Sequence, residues 1–195
     1  MDQRLHERGV FFLPWVGAAY AASAGPRLLI LGESHYSDAA GQTPQLTRSC
    51  IEEHARREWN HRFFTMLTQL VSGMDHWRVD RQAFWQGLAF YNYVQRSVAD
   101  GPGVAPTADD FERDETALRA VVEALAPTHV LVCSWRLWHH LPRALFGPGP
   151  HATTPQGTEI WPLATTPPAL ALGIPHPSRA ARAPVGASVA CFLAA

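Results

Sequence analysis

Arg27-Leu28-Leu29-Ile30-Leu31-Gly32-Glu33-Ser34-His35-Tyr36 is the stretch that decides the fold. Four consecutive apolar residues closed by a glycine read as a buried strand that ends in a sharp turn. Such a strand fits a parallel sheet covered by helices, where both of its faces meet apolar neighbours. The polar residues after Gly32 begin a site, because ligands of such sheets bind beyond the carboxyl ends of the strands.

Working outward, the apolar residues Ile51, Phe63, Phe64, Met66, Leu67, Leu70 and Val71 recur largely at helical spacing and stop at Gly73, which predicts two helices or one broken helix over 47–72. A second strand is expected over 88–94, and a loop over 100–106, which holds two glycines and two prolines. Thr107, with Asp110 three residues on, forms a capping-box-like start to a helix that reaches Leu125. His129-Val130-Leu131-Val132-Cys133 reads as the third strand, with a short helix after it over 135–145 and extended pieces over 158–163 and 169–173. The alternation predicts a single domain over 1–195 of α/β class: a three-layer α/β/α sandwich around a central, mainly parallel four-stranded sheet.

Composition narrows the function classes. With 47% hydrophobic residues in 195, the chain can fill one core. No apolar run reaches membrane-spanning length, and Met1-Asp2-Gln3-Arg4 starts no signal-peptide pattern, so a cytoplasmic protein is expected, with no membrane partner and as a monomer. The formal net charge of -1 gives no global footprint for nucleic acid, which leaves only a local basic patch. All sixteen basic residues are arginines, which carries no functional reading of its own. Cys50, Cys133 and Cys191 are widely spaced, so neither a disulfide framework nor a cysteine-rich metal site is expected. His139 and His140 are adjacent and point to different faces of a helix, so no metal site is expected from them and His35.

Three segments together resemble the uracil-DNA glycosylase superfamily: a strand running into Gly32-Glu33-Ser34-His35-Tyr36, Asn92 at the end of the second strand, and Ile174-Pro175-His176-Pro177-Ser178 after the last. The strand and helix over 130–135 keep the same order, and the resemblance covers roughly 27–182. It implies an enzyme without a cofactor that flips a nucleotide out of single- or double-stranded DNA and hydrolyses the bond between base and sugar. The three cysteines do not match the iron-sulfur branches. By resemblance, Glu33, Asn92 and His176 are the catalytic candidates. Glu33 would orient the attacking water, Asn92 would read the base edge, and His176 would hydrogen-bond the base oxygen as negative charge grows there. Gly32, Ser34, His35, Tyr36, Ser178 and Arg179 would bind substrate, the last two at a DNA phosphate with Arg182 nearby.

Each candidate has a plainer alternative. Glu33 can cap the turn, Asn92 can cap another, and Tyr36 can be rim packing. The chain departs from the best-known branch, where the water-placing aspartate aligns with Ser34 and a proline with His35. That opens the substrate to uracil, another deaminated base or a bulky modified cytosine of phage DNA. No residue clearly matches the family's base-sandwiching phenylalanine, for which Tyr36, Trp59 and Phe63 are substitutes. Arg179-Ala180-Ala181 stands where many relatives carry a leucine wedge. Gly32-Glu33-Ser34-His35 also resembles the Gly-Glu-x-His opening of erythromycin-esterase-like hydrolases. A third reading is an inactive member that only binds DNA or a protein.

Overall fold

A computed structural model describes residues 1–22, 25–38, 41–99, 101 and 103–195. Among them seven strands form one mixed sheet: β1 (Trp15–Val16), β2 (Leu28–Gly32), β3 (Ala89–Asn92), β4 (His129–Cys133), β5 (Ala152–Thr153), β6 (Glu159–Leu163) and β7 (Ala169–Ile174). Their order is β1-β3-β2-β4-β7-β6-β5. The expected four-stranded sheet is therefore corrected to a seven-stranded one. Its centre, β3-β2-β4-β7, is parallel throughout, while β1 pairs antiparallel with β3 on one side and, on the other, β6 pairs antiparallel with β7 and β5 with β6.

The additional strands owe their existence to tertiary pairing. Trp15 pairs with Phe90, and β5 reaches only two residues of β6, spans too short to carry a period of their own. Pro162 sits in β6 opposite Leu170 of β7, beyond the reach of β5. There its missing N–H leaves no ladder bond open.

The central strands alternate between two cores. Leu29, Leu31, Tyr91, Val130 and Val132 pack with Phe111, Leu118 and Val121 of α5 (Ala108–Leu125), with Leu137 of α6 (Trp135–His140) and with Leu5 of α1 (Asp2–His6). Leu28, Ile30, Phe90, Leu131 and Leu172 face the other way. They meet Ile51 of α2 (Leu46–Ala55), Phe63, Phe64 and Leu67 of α3 (Arg62–Ser72), Trp85 of α4 (Arg81–Gln86), and Val189 and Phe192 of α7 (Arg182–Leu193). Helices thus cover both faces of the sheet, as the continuous apolar runs require.

The local signals behave as read. Thr107 Oγ1 accepts from the Asp110 backbone N–H, and the Asp110 carboxylate accepts from that of Thr107, closing the capping box of α5. Gly73 ends α3 at φ 69°, a backbone conformation that glycine adopts without strain. The loop expected over 100–106 falls partly on Asp100 and Pro102, which lie outside the described residues. The helix α7 is hidden by Pro184 and Gly186. Pro184 lies in its first turn, where no intrahelical acceptor is lost. Among the described residues no helix is long and apolar enough to cross a membrane.

Candidate active site

Parallel register sets the site. Gly32 pairs with Asn92, and Cys133 with Ile174, so the chain leaves β2, β3, β4 and β7 at one end of the sheet. Gly32 and Asn92 lie on the face covered by α2, α3, α4 and α7, and a Cβ at Gly32 would stand 2.1 Å from Asn92 Oδ1 and 2.8 Å from Phe90 Cζ. Glycine at 32 is what lets the Asn92 side chain lie across the end of β2.

A cavity of about 290 Å3 opens there, near the low end of the ~300–1,000 Å3 usual for small-molecule sites. The buried Phe63, Phe64, Phe90 and Cys133 form its apolar part. Glu33, Ser34, His35, Tyr36, Asn92 and His176 all line it, so three segments separated by up to 143 positions converge as expected. Trp59 and His61 complete a wall, their rings stacked at 4.9 Å and 23°.

The walls differ in how their polar groups are used. Glu33 Oε2 accepts from Ser134 Oγ at 3.0 Å and from Arg136 Nε at 2.9 Å, while Oε1 accepts from Arg136 Nη2. The Glu33 side chain is 9% exposed and that of Arg136 46%. With about four acceptor positions on a carboxylate and three in use, Glu33 retains one, on Oε1, for a water. Its hydrogen bonds raise Arg136 above the usual guanidinium value. Glu33 caps no turn; its partners are side chains of the β4–α6 corner, where Ser134 also accepts from the Leu137 N–H at the start of α6.

His35 is buried, with Nε2 hydrogen-bonded to Thr47 Oγ1 at 2.8 Å and its ring edge-on to Phe12. Burial pushes it down to about 4, so it is neutral at physiological pH. Tyr36 stands at the rim and donates its hydroxyl to the Val104 carbonyl at 3.0 Å. The Ser34 hydroxyl is enclosed and has no hydrogen-bond partner among the described residues.

Asn92 and His176 differ. The Asn92 side chain is buried in the cavity wall, yet among the described residues its amide makes no hydrogen bond. His176 follows β7, its ring 5.2 Å from that of Phe63, and neither ring nitrogen bonds to a described residue. Burial lowers His176 below the ordinary imidazole value; Glu33 opposes this, and Arg179, His61 and Arg136 add to it. Burial lowers His61 too. Burial also pushes the Cys133 thiol up, and pushes that of Cys50 up to about 11 with help from Glu53, so neither is a ready nucleophile.

Ser178 and Arg179 lie outside the cavity wall, in a 3-10 turn, Pro177–Arg179, directly after His176. Arg62 Nε donates to the Ser178 carbonyl at 2.9 Å and anchors this turn to α3. Arg179 is exposed and has no ion pair among the described residues, whereas Arg182 is paired with Asp75. His139 donates Nδ1–H to the Trp135 carbonyl, and His140 stacks on Phe111 at 4.4 Å, so the adjacent histidines go separate ways. Among the described residues no three His, Cys, Asp or Glu side chains come together as metal ligands.

Ser134, Arg136 and His61 were missed in the sequence. The signal for the first two was available: they follow β4 at the same end of the sheet as every other candidate. His61 precedes a helix and has no comparable marker. Neither the known protein-family models nor the curated proteins contain a match to this chain.

Proposed function

We propose that the chain is a DNA glycosylase of the uracil-DNA glycosylase type, which takes a flipped base into the 290 Å3 cavity and hydrolyses its N-glycosidic bond. One observation carries the reading: an amide and an imidazole, Asn92 and His176, face an aromatic cavity at the carboxyl ends of parallel strands with their hydrogen bonds unused. A nucleobase is a flat apolar ring with a polar edge. Phe63, Phe64 and Phe90 suit the ring, and a donor–acceptor amide suits the edge.

The chemistry follows from charge. As the bond from the sugar to the base nitrogen breaks, the electron pair leaves with the base, and positive charge remains on the sugar. A neutral His176 donates an N–H to the base oxygen where negative charge collects, and the Asn92 amide adds a second contact. The Glu33 carboxylate favours the cationic sugar, and its remaining acceptor position on Oε1 holds the water whose oxygen bonds to the sugar carbon and whose released proton passes to Glu33, while the departed base anion takes a proton from solvent. Arg179 and the turn at Ser178 suit a phosphate beside the flipped nucleotide.

The rival Gly-Glu-x-His hydrolase requires Glu33 and His35 to act as a pair. They turn apart, Glu33 to Arg136 and Ser134, His35 to Thr47 and Phe12, which favours the glycosylase. The test is incubation with oligonucleotides carrying uracil, hypoxanthine or bulky modified cytosines, followed by alkaline cleavage at abasic sites. Cleavage at one base, abolished in Glu33→Gln while DNA binding remains, supports the reading. Binding without cleavage in any arm points to the inactive, DNA-binding member.

A further inference from the structure

A second cavity, of about 150 Å3, lies between α6 and β6 on the opposite face of the sheet. Trp138, Phe146 and Trp161 wall it. Phe146 stands near-perpendicular to both indoles, at 5.2 Å and 69° from Trp138 and at 6.0 Å and 83° from Trp161. A cavity of this size is one that admits a single benzene-sized ring. Glu159 accepts from the Trp161 indole N–H at 3.0 Å, which fixes a carboxylate at the edge, and the exposed Arg143 and His139 stand beside it. Aromatic walls, an acceptor and a cation together match a nucleotide: a ring to enclose, base N–H groups to bind, and a phosphate to pair.

The cavity is also placed for a strand that enters the first one. β6 runs antiparallel to β7 with Ile160 opposite Leu172, so Glu159 lies toward the carboxyl end of β7, the end from which His176 emerges. Helix α6 joins the two cavities. Arg136 holds Glu33 of the first, and His139, three residues on along the same helix face, lines the second. Trp135, 43% exposed, and Trp138 repeat that spacing, and both rings press on Gly173, where a Cβ would come within 2.7 Å of Trp138.

We infer that the Trp138–Phe146–Trp161 cavity is a subsite for an unpaired nucleobase of the strand that delivers the flipped nucleotide, which makes single-stranded DNA the substrate form. This rests on the glycosylase reading. A base in a duplex must be unpaired and unstacked, at a cost, before it can enter a walled cavity, whereas bases of a single strand are already free to do so.

The experiment is equilibrium binding of unmodified fluorescent oligonucleotides, single-stranded and duplex, to the full chain and to Trp161→Ala, Trp161→Phe and Arg143→Ala. Wild type should prefer the single strand. Trp161→Ala should lose about fivefold to a hundredfold in affinity, the range of stacking on one aromatic side chain. Trp161→Phe should retain most of it, Arg143→Ala should weaken it, and circular dichroism should show all three folded. Single-strand affinity within twofold of wild type in Trp161→Ala, or equal affinity for the duplex, overturns the subsite. If these variants behave as expected but no base in the excision panel is released, the catalytic reading fails and the subsite stands. If wild type binds neither form, both fall.

Discussion

The two walls of the main cavity are both polar and, the enclosed Ser34 hydroxyl of the β2 wall aside, use their polar groups in opposite ways. On the β2 side, Glu33, His35 and Tyr36 are each bonded to protein: to Arg136 and Ser134, to Thr47, and to Val104. On the β3 and β7 side, Asn92 and His176 are bonded to no described side chain. Asn92 is buried, and a buried polar group left unsatisfied is costly unless something enters to satisfy it, whereas His176 is exposed where it lines the cavity, so water serves it until a ligand arrives. The difference teaches that protein contacts hold the β2 wall in shape, while Asn92 and His176 keep hydrogen-bonding groups open to a ligand.

The largest expected effect is on the unbonded side. Asn92→Ala and His176→Ala should each lower the excision rate about a hundredfold or more, the scale of one donor to a developing anion, with DNA binding nearly intact. Gly32→Ala should approach Asn92→Ala, because the new Cβ would stand 2.1 Å from Asn92 Oδ1 and force that side chain out of place. A Gly32→Ala enzyme with unimpaired turnover would break the comparison.

The next effect belongs to the bonded side and falls on stability. Arg136→Ala leaves the nearly buried Glu33 carboxylate with one partner and should destabilise the fold by about 2 kcal/mol. Glu33→Ala leaves a half-exposed arginine, which water solvates, and should cost less. Urea titrations of both variants should show this asymmetry; equal losses would mean that Glu33 is less enclosed than its contacts imply.

Acid sharpens the same contrast. His35 is held down to about 4 by burial, and so is His54, by burial and then by Arg81. Unfolded, both titrate near 6.5, so below that pH the unfolded chain binds protons that the fold excludes. Stability is complete above about pH 6.5 and declines toward pH 4, by about 2 kcal/mol per histidine on reaching pH 5. His54→Leu should remove one proton from this slope without changing excision, and an unchanged slope would assign the acid sensitivity elsewhere. Smallest of all, Tyr36→Phe deletes one rim hydrogen bond to Val104 and should cost about 1 kcal/mol, with excision changed less than threefold.

The parallel centre of the sheet could be read from the sequence because Leu28–Gly32 and His129–Cys133 are continuous apolar runs, the signature of strands covered on both faces. Two-residue strands such as Trp15–Val16 cannot be read so, since their partners define them. The wall residues were legible because they sit where strands end. Their hydrogen bonding was not: Glu33 meets Arg136 across 103 positions, and nothing near Glu33 in the chain distinguishes a carboxylate held by arginine from one that faces solvent. That is also why Glu33 is expected to place water and is found with most of its acceptor positions in use.

The central claim, that Asn92 and His176 hold a base while its bond to the sugar breaks, meets its most direct test in the panel of modified oligonucleotides, run single-stranded with wild type, Asn92→Ala and His176→Ala. The account predicts alkali-labile cleavage at one kind of base with wild type and about a hundredfold slower cleavage with either variant at similar DNA affinity. Cleavage by either variant at the wild-type rate would contradict it.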